Sequence, residues 1–174
     1  MKTFKDLLIE LNACEPSIIW AGDRTIEQVV RDVDRGDWLL WLAFKIDIPL
    51  KELTLAKALC AKTVIHLMKD ERSKNAVKVA EDFGNDLTSL EALKDAADSA
   101  FDVTLYEDLD WSSYNASISA FSAADPASGA QAASYAACAV GKNAYFESLR
   151  ETAQICKDIL GELIINRVNK LLSE

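Results

Sequence analysis

Apolar residues recur three and four positions apart along nearly the whole chain, and the alternation typical of strands is almost absent. Only six glycines and three prolines interrupt the 174 residues, and half of the residues are apolar. Alanine is dense between residues 92 and 144, which favours close packing of helix on helix. These features predict an all-α fold, a single domain over residues 1–174. We expect a compact multi-helix bundle or a short helical solenoid of about seven to nine helices.

Capping signals predict where the first helices begin and end. One helix is expected to begin after Thr3 and to end before Pro16, and a loop through Trp20 follows it. Thr25, with Gln28 three residues later, has the pattern of a capping box at the start of the next helix.

The most apolar predicted helix lies in the first third of the chain. Asp37 is expected to cap it, with the tripeptide Arg35-Gly36-Asp37 forming a turn, and residues 38–44 are expected to be buried. A further helix is predicted over about residues 51–69. The remaining helices are predicted over about residues 70–84, 88–105, 111–124, 126–142 and 143–172.

The acidic residues are concentrated in one segment. The formal net charge is −9, and residues 81–110 contain ten acids opposed only by Lys94, so that this segment alone accounts for the whole imbalance. Such a protein is a poor candidate for binding nucleic acid or anionic membranes, because both require clustered Lys and Arg. A basic protein surface is a better match for focused negative charge.

The most regular part of this segment is a predicted acidic helix. Its acids are spaced four, three and four residues apart and share one helix face beside the apolar stripe. This face fits three interpretations: a solvated surface, a binding surface for a basic partner, or a divalent-cation site that lacks the Glu-x-x-His companions of a di-iron bundle. The candidate partner-binding residues, on the helix and in the loop that follows it, are Glu91, Asp95, Asp98, Asp102, Glu107, Asp108 and Asp110.

The sequence contains no catalytic constellation. Its only histidine, His66, is expected near the C-terminal end of its helix, and Cys60 lies about 240° around that helix, too far for a dyad. Nucleophile-elbow, zinc-protease, dinucleotide-binding and P-loop motifs are absent. We therefore predict a protein that is not an enzyme and has no cofactor or metal site.

The cysteines and the apolar runs bear on the compartment. The four cysteines, at positions 14, 60, 138 and 156, form no C-x-x-C pair and are expected to be reduced and buried. No secretory signal is visible, and the longest apolar run, residues 38–44, is far short of a membrane span. We expect a cytoplasmic protein.

Three segments carry a family resemblance. They read RGDWLLWLA from Arg35, LAKALCAKTVIHLMKDERS from Leu55, and TAQICKDIL from Thr152. Their order resembles the all-helical immunity-type proteins of bacterial polymorphic toxin systems, relatives of which occur in phage genomes. The resemblance covers roughly residues 20–168, with a departure at residues 108–115. It implies a protein that binds and neutralises a toxin in the producing cell.

Two functional hypotheses follow. The first is an immunity-type inhibitor that covers a basic toxin surface with its acidic helix and the following loop, without catalysis. The alternative is an accessory protein of a phage or mobile element, acting as a DNA-mimic inhibitor or as a helical scaffold.

Overall fold

The structure, a computed structural model, describes residues 2–106 and 108–174, except for the side chain of Tyr106. Over these residues the chain forms ten α-helices, one 3-10 helix (Ile65–Leu67) and no strand, packed as a compact bundle. The predicted all-α class is confirmed. The α-helices are α1 (Phe4–Glu10), α2 (Glu15–Ala21), α3 (Ile26–Asp32), α4 (Gly36–Lys45), α5 (Leu50–Lys62), α6 (Glu71–Gly84), α7 (Leu90–Tyr106), α8 (Trp111–Ala124), α9 (Gln131–Ala139) and α10 (Tyr145–Ser173).

The longest helix, α10, organises one side of the bundle. Its 29 residues pack against α4, α5 and α9, and also against α3 and α1. On the other side, α5, α6, α7 and α8 each pack against the next helix along the chain. Since α7 packs chiefly against α6 and α8, it lies at an edge and keeps a broad exposed face.

Small residues make the contact between α8 and α9 possible. The buried positions of α8 are all alanine, serine or asparagine, and those of α9 are all alanine. The Ser119 hydroxyl donates a hydrogen bond to the Ala132 carbonyl at 2.7 Å across this interface. The close packing predicted from the alanine-rich stretch is confirmed.

The predicted first helix ends early, at Glu10, and the loop predicted after it contains a second helix, α2. Asn12 adopts φ 59°, and the Ala13 N–H bonds to the Leu8 carbonyl at 2.9 Å, which ends α1 in a Schellman-type turn. Pro16 then lies in the first turn of α2, where its missing N–H costs nothing. Proline thus marks the start of a helix here, and α2 is the element missing from the prediction.

The helix that was predicted to contain His66 ends before this residue. The Thr63 hydroxyl donates to the Cys60 carbonyl at 2.8 Å, and the β-branched residues 63–65 are poor helix formers. Helix α5 therefore ends at Lys62, and His66 lies exposed in the 3-10 helix instead of on α5.

Of the two caps predicted for α3 and α4, only the first is present in the structure. The capping box of α3 is confirmed, because Thr25 and Gln28 exchange side chain-to-backbone hydrogen bonds. Asp37 was wrongly predicted to cap α4. It lies inside the first turn and accepts two hydrogen bonds from the Arg35 guanidinium, at 2.8 and 2.6 Å.

Gly36 marks the closest approach between α4 and α10. A Cβ atom at this position would lie 2.3 Å from Thr152 Oγ1 and 2.6 Å from the Thr152 carbonyl carbon. On the same helix as Thr152, the Cys156 thiol donates to the Gly36 carbonyl at 3.7 Å. The backbone of α4 therefore lies directly against α10.

We predict that Gly36→Ala lowers the free energy of unfolding by about 1–3 kcal/mol, because the added methyl overpacks this contact. Gly161→Ala, inside α10, is the matched control. Its nearest neighbour is the Val30 Cγ1 methyl at 3.3 Å, and alanine favours a helix by up to about 1 kcal/mol, so this variant should be nearly neutral. Urea denaturation measures both, and equal stability of the two variants would contradict the proposed contact.

Candidate functional site

Helix α7 turns four carboxylates to solvent. Glu91, Asp95, Asp98 and Asp102 are all exposed. At 3.6 residues per turn they fall within an arc of about 60°, and we call them the acidic face. The opposite side of the helix is buried against the core at Leu93, Ala96, Ala97, Ala100 and Val103. The four predicted residues therefore share one face of α7. This face lies opposite the buried residues of the helix, whereas it was predicted beside the apolar stripe.

Acids on either side of α7 are paired with lysines from other parts of the chain. These lysines come from α5, from α6 and from the loop before α6. The ion pairs are Lys51–Asp86, Lys62–Glu81, Lys69–Asp110 and Lys78–Asp82. The negative charge of residues 81–110 is thereby reduced at both ends of the segment and left uncompensated in its middle.

Asp110 has an intramolecular role. It caps α8 by accepting the Ser113 N–H at 2.9 Å. The hydrogen bond from the Lys69 ammonium and the one from the Ser113 N–H lower the pKa of Asp110 to about 2. Asp108 is exposed, whereas Glu107 lies outside the described residues. Of the seven predicted residues, the structure brings together the four on α7.

The acidic face has no partner within the described part of the chain: none of its carboxylates forms an ion pair or accepts a hydrogen bond there. Like charges three and four residues apart destabilise a helix by a few tenths of a kcal/mol per pair. Lys94 is the single base on the helix. The helix thus carries an electrostatic cost that contact with a cation outside the chain would relieve.

Exposed apolar side chains lie beside the acidic face. Leu90, Phe101 and Leu105, which we call the apolar margin, are 41%, 43% and 55% exposed, and helix geometry places them next to the carboxylates. The Phe101 ring also packs against Phe121 of α8, with 5.1 Å between ring centroids. Trp111, at the start of α8, is 70% exposed. Exposed apolar groups bordered by charge are typical of protein interfaces.

The described residues contain no group of side chains that could serve as the ligands of a divalent cation. Nowhere in residues 2–106 and 108–174 do three His, Cys, Asp or Glu side chains converge as a metal site would require. In the same residues, every helix is too short or too polar to cross a membrane.

The cysteines are free thiols in different environments. Cys60 and Cys156 are buried with their sulfurs 3.8 Å apart, and the hydrogen bond with Cys60, together with burial, raises the pKa of Cys156 well above its usual value. Such a thiol is a poor nucleophile. Cys14 is exposed, so the prediction that all four cysteines are buried was wrong.

Lys57 is the residue that the sequence interpretation missed. Its side chain on α5 is fully buried, and its ammonium donates to the carbonyl oxygens of Asp125 at 2.7 Å and Ser128 at 3.1 Å. It thereby fastens the loop between α8 and α9 to α5. Burial lowers its pKa to about 8, against the opposing attraction of the Asp125 carboxylate. The available signal was its position on the apolar stripe of α5, four residues after Leu53.

The lowered pKa of Lys57 predicts a pH-dependent stability. Below pH 8 the Lys57 ammonium is protonated in both the folded and the unfolded chain. Burial of this charge then lowers the free energy of unfolding by its full amount. Between about pH 8 and 10.5 the unfolded chain binds more protons, so stability rises with pH. The free energy of unfolding, relative to that of Lys57→Met, should therefore increase by about 3 kcal/mol over this range. Urea denaturation at a series of pH values measures the free energy of unfolding of both proteins. If the two values change in parallel with pH, the predicted role of Lys57 is wrong.

No family model, curated protein or solved structure matches the chain. The features of this chain that bear most directly on its function are the acidic face and the apolar margin of α7.

Proposed function

We propose that this protein is a non-catalytic, cytoplasmic binding protein that neutralises a basic protein partner, in the manner of an immunity protein acting on a toxin. The observation that carries the proposal is the acidic face, four exposed carboxylates on one helix with no partner in the described part of the chain. The resemblance of three segments to immunity-type proteins supplies a toxin as the class of partner.

Both parts of the α7 surface have a role in this mechanism. The carboxylates attract and orient a basic surface during diffusion, which raises the association rate. Exposed ion pairs alone contribute little affinity, with a median of about 0–1 kcal/mol each. The apolar margin supplies the burial that excludes water from the contact, as the apolar centre of an interface does. The partner is then blocked by steric cover, without chemistry.

The position of α7 suits this role. It packs chiefly against α6 and α8 and leaves its outer face open. A partner can cover that face without displacing any core side chain, so binding requires little rearrangement of the chain.

The alternative is an accessory protein that imitates DNA phosphates and blocks a nucleic-acid-binding protein. The four carboxylates lie within residues 91–102, whose ends are eleven residues apart, or about 16 Å along the helix. Duplex DNA carries one negative charge per about 1.7 Å, a much higher density. The lower density of α7 favours a partner that is recognised by charge together with apolar contacts over a protein whose binding site is built for DNA phosphates.

A pair of charge-matched variants tests the proposal. The acidic-face variant carries E91Q, D95N, D98N and D102N, and the control carries E147Q, E151Q, D158N and E162Q at exposed positions of α10. Both change the formal net charge from −9 to −5. Each protein serves as bait in a lysate of the native host, and captured proteins are identified by mass spectrometry.

We expect the wild type and the α10 control to capture the same basic protein, and the acidic-face variant to lose it. With the purified partner, the wild-type association rate should fall about tenfold or more from low to high salt, because salt screens the steering charges. Co-expression should also protect cells from the partner if it is a toxin. Binding that persists in the acidic-face variant, or that is lost equally in both variants, would contradict the mechanism. Competition by duplex DNA would favour the alternative.

A further inference from the structure

A cavity of about 290 Å³ lies among α1, α2, α3 and α4. Its deeper wall is buried and apolar, with Leu8, Ala21, Leu39 and Leu42 among its residues. Its outer wall includes exposed Cys14 and half-buried residues, so the cavity opens to the surface. An apolar cavity of about 150 Å³ is enough to bind benzene. This one has room for a molecule of two fused rings.

Three of the four tryptophans line this cavity. Trp20 and Trp38 meet edge to face, with 5.9 Å between ring centroids, and Trp41 completes the aromatic part of the wall. Aromatic rings prefer offset or edge-to-face neighbours at such distances. The wall therefore favours a flat aromatic molecule over a branched aliphatic one.

One charged pair sets the polarity of the cavity. The Arg35 guanidinium donates to both carboxylate oxygens of Asp37 and lies over the Trp38 ring, 4.7 Å from its centroid. These two bonds use Nε and Nη2, whereas Nη1 has no acceptor in the described part of the chain. Because the pair is neutral as a whole, a charged ligand would lose its hydration without gaining a counter-charge. A neutral ligand with one acceptor would bond to Arg35.

We propose that this cavity is a binding site for a small neutral aromatic molecule of one or two fused rings that carries a single hydrogen-bond acceptor, such as a carbonyl, facing Arg35. The site is built from α1 to α4 and Ala130, and none of its residues belongs to α7. The proposal is therefore separate from partner binding, and either one can fail without the other.

The probes that test it are 1-indanone, which has two fused rings and one carbonyl, its counterpart indane, which lacks the acceptor, and the cation 1-aminoindane. Nuclear magnetic resonance of the four tryptophan indole N–H groups reports on binding. Trp111 lies at the exposed start of α8 and serves as the internal control. Trp→Phe variants assign the signals.

We expect 1-indanone to shift the signals of Trp20, Trp38 and Trp41 saturably and to leave Trp111 unchanged. Indane should bind about tenfold more weakly, because it cannot accept a hydrogen bond from a charged donor. The cation 1-aminoindane should cause no saturable shift. Absence of saturation with 1-indanone, equal binding of indane, or an equal shift of Trp111 would each overturn the proposal.

Three variants locate the site and test its polar contact. Ala21→Leu fills the deeper wall and should abolish 1-indanone binding, whereas Ala127→Leu, at an exposed position, should not. Arg35→Met combined with Asp37→Asn removes both charges together, so that no buried charge is left unpaired. This double variant should still bind indane and should lose the preference for 1-indanone. A preference that survives in the double variant would show that Arg35 does not contact the ligand.

Discussion

The close contact of α10 with α4 and α5 is the constraint on which the rest of the bundle depends. Gly36 leaves no space for a side chain against Thr152, and the Cys60 and Cys156 thiols meet in the same buried region. This contact fixes α4 as the inner wall of the tryptophan-lined cavity. Because α10 also covers α3 and α9, helices α6, α7 and α8 pack away from α10, and α7 is left at the edge.

The distribution of charge follows from this architecture. Lys51 and Lys62 lie on α5, which packs beside α6 and therefore reaches the acids at the end of α6 and in the loop after it. Lys69 reaches the loop before α8. None of these lysines forms an ion pair with α7 in the described residues, so the acidic face keeps its charge. Packing, more than composition, decides which carboxylates are available to a partner.

Local signals in the sequence were sufficient where a feature depends on neighbouring residues. The capping box at Thr25 and the shared face of the four α7 acids both follow from spacing alone. Pro16 was misinterpreted because proline can either end a helix or occupy its first turn. Lys57, the Lys51–Asp86 pair and the cavity depend on contacts between distant segments, and spacing along the chain does not encode those contacts.

The range of electrostatic forces explains why α7 would dominate recognition by a basic partner. Successive carboxylates of the acidic face are about 4.5–6 Å apart along the helix axis, which is less than the Debye length of about 8 Å at physiological salt. Their fields therefore add before salt screens them. An acid paired with a lysine, such as Glu81, contributes only a dipole, whose field decays faster with distance. An approaching basic protein thus experiences four charges on one helix much more strongly than the other acids of the segment, although those acids contribute equally to the net charge.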